Sequence, residues 1–166
     1  PGTKLTIGPA TSDGFYYDFD RHSGFTPEDL AAIEQEIKAQ AEQALSFIRQ
    51  EISREEAVAL FRERGEIYKV EILEQIPGSD PITLYRHGEF FDLCRGPHVP
   101  STSWLKAVKL THVSGAYWRG DERRPMLARI YGTAFWNSKD LEAHFARLEE
   151  AKKRDHRKMG KDLDLF

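Results

Sequence analysis

Apolar positions in the first third of the chain recur at spacings of three and four. Thr26-Pro27-Glu28-Asp29 opens that run with a capping threonine, a proline at the first helical position and acids in the first turn. Leu30, Ile33, Ile37, Ala41, Ala44 and Ile48 then form one stripe, which predicts a helix of about six turns. Ser53-Arg54-Glu55-Glu56 is a capping box, predicting a second helix with Ala57, Leu60 and Phe61 inward and Gly65 as its stop. Upstream, residues 7–10 and 12–14 are turn-rich. They bracket Phe15-Tyr16-Tyr17-Asp18-Phe19, a run of strand composition that puts Tyr16 and Tyr17 on opposite faces.

After Gly65 the period changes to two. Val70 and Ile72 alternate with charges across residues 69–73, which predicts a strand containing Lys69. Pro77-Gly78-Ser79-Asp80 reads as a turn. Residues 82–86 and 89–93 flank His87-Gly88, a tight hairpin. Val108, Leu110 and His112 continue a strand pattern, with His112 read as a satisfied core imidazole, and residues 129–133 supply another strand. Ser138 caps a last helix with Leu141, Phe145 and Leu148 inward; beyond Ala151 it loses its apolar stripe and turns basic. The expected fold is α+β: a mainly antiparallel sheet packed by two helices, with a C-terminal linker helix.

Composition narrows the class. Of 166 residues 40% are hydrophobic, enough to bury a core, so a wholly disordered chain is excluded. Charged residues make up 31%, and no long uncharged apolar run offers a membrane span. A single cysteine, Cys94, excludes an internal disulfide and a cysteine-rich zinc site, and fits a reducing compartment. Pro1-Gly2-Thr3-Lys4 has neither an initiator Met nor an apolar signal region, and reads as the start of a fragment. Net charge is −3, but the bases cluster: residues 95–129 hold seven bases and two acids, residues 151–161 six bases and one acid. Such a bipolar chain suits either a polyanion-binding face or ordinary solvated surfaces.

Asp92-Leu93-Cys94-Arg95-Gly96-Pro97-His98 concentrates the chemistry. A carboxylate, a thiol and an imidazole stand within seven residues where a strand runs into a Gly-Pro turn. Asp92 and Cys94 point the same way on an extended strand, and the turn can return His98 toward them. A Cys/His nucleophilic pair, a metal site and a water-activating site with Lys69 and Arg95 in support all fit, as does a purely local structural role. No other cysteine or paired histidine spacing completes a metal set within the chain. The mix in residues 116–121 fits either a stacking platform for an RNA end or a packed hairpin.

Five stretches carry a resemblance: residues 7–20 (IGPATSDGFYYDFD), 92–102 (DLCRGPHVPST), 115–121 (GAYWRGD), 129–135 (RIYGTAF) and 153–166 (KRDHRKMGKDLDLF). In this order and spacing they resemble bacterial threonyl-tRNA synthetases, from about residue 7 to the end. The matched region is the editing module that these enzymes share in kind with alanyl-tRNA synthetases and freestanding alanyl-tRNA deacylases. The resemblance implies an editing domain over residues 1–148 and a basic linker helix over 149–166, leading toward a catalytic core. It implies hydrolysis of serine mischarged on threonine tRNA, by water and without a cofactor; ATP, magnesium and a core zinc would belong to the whole synthetase. It also implies a cytoplasmic location, threonine tRNA as partner, no membrane, a monomer for this chain and a homodimer for the whole enzyme.

Residue by residue, the resemblance implies Asp92, Lys69, His98 and Cys94 as catalytic and one of Tyr16 and Tyr17 as a substrate-binding wall of the pocket; Arg95 is expected to bind substrate beside them. Arg119, Arg123, Arg124, Lys152 and Lys153 are expected to meet tRNA, and no metal is expected. The family's pocket also uses a His-x-x-x-His pair, which falls upstream of the segment matching Pro1. That departure keeps a second expectation open: a non-catalytic tRNA-binding or scaffold fragment.

Overall fold

The structure, a computed structural model, describes residues 2–162, with the side chains of the last helix as far as residue 155. Its elements are β1 (Lys4–Leu5), β2 (Ala10–Thr11), β3 (Gly14–Asp20), α1 (Pro27–Glu42), β4 (Ile48–Ile52), α2 (Arg54–Glu63), α3 (Ile67–Gln75), β5 (Ile82–His87), β6 (Phe90–Leu93), β7 (Ala107–Tyr117), β8 (Met126–Phe135) and α4 (Ser138–Asp162). The fold is α+β with a C-terminal helix, as expected. In place of one sheet there are two, both antiparallel: a larger one in the order β1-β3-β8-β7 with β2 also on β3, and a smaller one in the order β4-β5-β6. Residues 163–166, the end of the expected linker helix, lie outside the described residues.

Helix α1 begins as its sequence dictates: the Thr26 side chain accepts from the Asp29 amide, and the Asp29 carboxylate accepts from the Thr26 amide. It ends at Glu42, not Ile48. The Thr102 hydroxyl donates to the Gln40 carbonyl (2.6 Å) and accepts from the Leu45 amide (2.9 Å), while Ala44 takes a positive φ of 50°. These contacts turn the chain, and Ile48 starts β4 opposite Arg86. The hairpin between β5 and β6 pairs His87 with Phe90, so Gly88-Glu89 is the turn, one residue later than expected. Asn137, not Ser138, caps α4: its side chain accepts from the Asp140 amide at 2.8 Å. Leu148, expected inward, is exposed.

The larger correction is α3. Residues 67–75 are helix, so Lys69 stands on a helix and not on a strand. The element lies between two cores. Leu73 joins Ala57, Phe61, Ile82, Leu84 and Phe91 in one; Tyr68 joins Trp118 and Leu127 in the other. A helix covered on both sides needs no single apolar stripe, which is why its short pattern imitates alternation. Asp18 and Arg129, cross-strand partners on β3 and β8, form a two-pronged ion pair at 2.7 and 2.9 Å. His112 is not a core residue: it is exposed and stacks on Tyr131, centroids 4.2 Å apart.

Candidate functional site

Three elements deliver one side chain each to a common point. β3 of the larger sheet brings Tyr17, α3 brings Lys69, and β6 of the smaller sheet brings Asp92. The Lys69 ammonium lies 2.7 Å from Asp92 Oδ1 and donates to the Tyr17 hydroxyl at 3.0 Å. The Tyr17 hydroxyl in turn donates to Asp92 Oδ2 at 2.7 Å, and the Leu93 amide donates to Oδ1 at 2.7 Å. Lys69 is only 3% exposed. Burial first, and then the Asp92 carboxylate, push the Tyr17 phenol far above its ordinary pKa, so it stays a protonated donor.

The backbone around Tyr17 explains part of the motif in residues 7–9. The segment between β1 and β2 runs along β3, with the Asp18 amide donating to the Ile7 carbonyl at 2.9 Å. Gly8 faces the Tyr17 ring so closely that a Cβ there would overlap it. Tyr16 is on the opposite face, its ring beneath the Arg129 guanidinium at 3.9 Å. Of the two tyrosines, the structure brings Tyr17 to Lys69 and Asp92.

Beyond β6 the chain turns at Gly96 and returns His98 to Cys94, with Nε2 3.2 Å from Sγ. The His98 ring lies parallel to Tyr85, centroids 4.0 Å apart, and meets Phe47 edge-on. Tyr85 is the cross-strand partner of Asp92, so the imidazole and the carboxylate share one face of the smaller sheet. Gly96 has φ 74°, and a Cβ there would overlap the Tyr85 hydroxyl; the motif glycine makes room for the ring beneath His98. Burial, and secondarily His87, lower the His98 pKa, with Asp92 opposing, so the imidazole is neutral at pH 7. Its outer surface remains exposed. Among the described residues no group of three or more His, Cys, Asp and Glu side chains converges in an arrangement that could hold a metal ion.

Two clefts flank the end of β6. One of about 290 Å³ is lined by Lys69, Asp92, Glu66, Arg64 and Phe90; one of about 230 Å³ by Thr83, Cys94 and Arg95. A groove of about 790 Å³ lies elsewhere, between α4 and the larger sheet. Arg95 does not join the cluster: its side chain is 88% exposed and reaches Asp80 at 3.5 Å. Arg119 and Arg124 pair with Glu71, and Arg123 pairs with Asp121. Lys152 and Lys153 stand exposed on α4. The aromatic platform entertained for residues 116–121 is not formed by Trp118, which is 1% exposed. Tyr85, Phe47 and Glu66 are site neighbours that sequence reasoning missed.

The class follows from residues 82–131, which match the family described as the threonyl and alanyl tRNA synthetase second additional domain. That span carries Asp92, Cys94 and His98. Over its whole length the chain is also 58% identical to the threonine–tRNA ligase of Citrifermentans bemidjiense, 61% to that of Nitrosococcus oceani and 56% to that of Myxococcus xanthus. Each alignment takes in 100% of this chain and 26% of the ligase, so the chain spans about a quarter of the length of these relatives. It belongs to the threonyl-tRNA synthetase family, as the segment that carries the second additional domain. Among the described residues, no helix is long and apolar enough to cross a membrane.

Proposed function

We propose that the chain hydrolyses the ester of serine mischarged on threonine tRNA. The observation that carries this reading is the buried Lys69–Asp92–Tyr17 cluster, with Lys69 and Asp92 lining one cleft and Cys94, in contact with His98, lining the other at the end of β6. Serine is threonine without one methyl group. A pocket that takes threonine discriminates against serine by only about 10–200-fold, because one such group is worth roughly 1–3 kcal/mol. A second site that admits the smaller residue and excludes the larger supplies the rest.

Counting donors and acceptors assigns the roles. A carboxylate has about four lone-pair positions. At Asp92 three are taken, by Lys69, Tyr17 and the Leu93 amide, which leaves one to accept from the attacking water. An ammonium has three protons, and Lys69 commits two, leaving one for the carbonyl oxygen of the ester. Water attacks the carbonyl carbon, and the negative charge that develops on that oxygen meets the Lys69 ammonium. The ester C–O bond then breaks, the ribose oxygen takes the proton, and serine departs. Neutral His98, together with Cys94, walls the acyl pocket, and Tyr17 holds Lys69 and Asp92 in register. No cofactor is consumed, and threonine tRNA is the partner, met by Lys152, Lys153 and the arginines of the β7–β8 tip.

The test is deacylation of seryl-tRNA and threonyl-tRNA, with the 166-residue chain and with this segment inside a full-length threonine–tRNA ligase. Seryl-tRNA should be cleaved in preference, with the rate falling at least about 100-fold in Lys69→Ala and Asp92→Ala. Salt-sensitive tRNA binding without hydrolysis in either format, or rates untouched by those substitutions, would replace this reading with that of a tRNA-binding scaffold.

A further inference from the structure

The motif in residues 115–121 takes no direct part in the proposed chemistry, yet it is tied to the helix that bears Lys69. The buried Trp118 indole donates to Glu71 Oε1 at 3.2 Å. The Arg119 guanidinium lies 3.1 Å from the same oxygen, and Arg124 pairs with Oε2. Tyr68 meets Trp118 edge-on, centroids 5.1 Å apart, and its hydroxyl donates to Asp20 at 2.8 Å. Arg119 adopts φ 57°, a conformation that non-glycine residues avoid, and its guanidinium also reaches Gln75. A residue held in such a conformation needs surroundings that over-determine it, and here these belong to α3.

The contacts fall on one side of α3, at positions 68, 71 and 75. Lys69 is two residues from Glu71, about 200° around the axis, and faces the other way. Grip on one stripe therefore fixes the rotation of the helix, and rotation decides where the ammonium arrives. With side chains included a helix has a radius of about 5 Å, so a roll of about 10° carries a side chain by about 1 Å. A misplacement of that size is enough to cost about 100-fold in rate.

We infer that Glu71 and Trp118 are positioning residues: the β7–β8 tip clamps α3 so that Lys69 reaches Asp92 and Tyr17. The inference rests on the hydrolytic reading for its effect on rate, but not for its effect on Lys69. Two variants test it, Glu71→Gln, which keeps size and loses charge, and Trp118→Phe, which keeps the ring and loses the indole N–H. Both should lower kcat for seryl-tRNA deacylation by about 10–100-fold with KM changed less than about twofold, and Glu71→Asp should recover part of the loss. Independently of activity, nitrogen NMR of the lysine ammonium groups should show a slowly exchanging Lys69 signal in the native chain. That signal should broaden or shift in both variants but not in Glu74→Gln, an exposed position on the same helix. If Glu71→Gln is folded and leaves both the Lys69 signal and kcat unchanged, the clamp is wrong. If Lys69→Ala hydrolyses normally while the signal still responds, the clamp stands and the hydrolytic role of Lys69 falls.

Discussion

Replacing Asp92 with Asn keeps the shape of the side chain and removes its charge, leaving the Lys69 ammonium buried with no counter-ion. At 2.7 Å the pair attracts by about 6 kcal/mol for an effective dielectric of about 20. Desolvation of both groups offsets part of that, so the relevant figure is the cost of stranding one charge, about 3–5 kcal/mol. The partners differ in what each leaves behind. Lys69 is 3% exposed and meets too little water to replace its carboxylate; Asp92 is 17% exposed and keeps the Tyr17 hydroxyl and the Leu93 amide as donors. Lys69→Met should therefore cost less than Asp92→Asn, about 1–3 kcal/mol. The double variant strands no charge, so it should be destabilised less than the sum of the singles by at least about 2 kcal/mol. Urea unfolding at pH 7 measures all four chains. Repeating it in about 1 M salt should change the coupling little, since buried pairs are poorly screened. Additive single effects, or an Asp92→Asn penalty below about 1 kcal/mol, would refute the description of Lys69 as a buried ammonium held by one carboxylate.

Gly96→Ala adds a Cβ that overlaps the Tyr85 hydroxyl at a backbone with φ 74°. It should destabilise by about 1–3 kcal/mol, with Tyr85→Phe in the same chain returning only part, read from thermal midpoints. Arg129→Met leaves Asp18, 2% exposed, without its guanidinium and should cost about 3–5 kcal/mol in urea unfolding; adding Asp18→Asn should recover much of it. Burial lowers the His98 and His87 pKa values below the ordinary 6.5, so the unfolded chain binds more protons as pH falls past that value. Their contribution should be full above about pH 6.5 and lost on acidification through the folded values. Urea midpoints between about pH 5 and 8 should show that slope, and the double variant His87→Asn/His98→Asn should flatten it.

Capping signals and residue types were legible wherever they act locally. Thr26 with Asp29 and Ser53 with Glu56 close their boxes as read, and Gly65 follows the end of α2. What escaped depends on distant partners. The end of α1 is set by Thr102, a residue 60 positions from Glu42, and the helical state of residues 67–75 by two cores that meet on either side of it. A one-residue slip in the β5–β6 turn had a consequence at the site. With His87-Gly88 as the turn, Thr83 would oppose Asp92; with Gly88-Glu89, Tyr85 does, and it becomes the floor under His98. Of the site, residue identities were readable from the motifs, but the choice of Tyr17 over Tyr16 needed the register of β3 against β8. The exclusion of Arg95 needed the direction in which its side chain leaves the turn.

Among the described residues two buried ion pairs invite different explanations. Arg129 and Asp18 are cross-strand neighbours in a fork-on-fork geometry, within one sheet, and the pair fixes the register of β3 on β8. Lys69 and Asp92 join a helix to a strand of another sheet, and the carboxylate is bonded as well to a tyrosine from a third element. A methionine and a leucine would fill the same junction beside Phe61 and Phe91 with less desolvation, and buried pairs replaced in that way are often no less stable. Stability therefore gives little reason for an ammonium at that point. The proposed chemistry gives one: a fixed cation with one proton to spare and a carboxylate with one lone pair to spare, both lining the same cleft. Because each comes from a different element, the cluster exists only when both sheets and α3 are docked, so the proposed ester cleavage and the cooperative fold should be lost together.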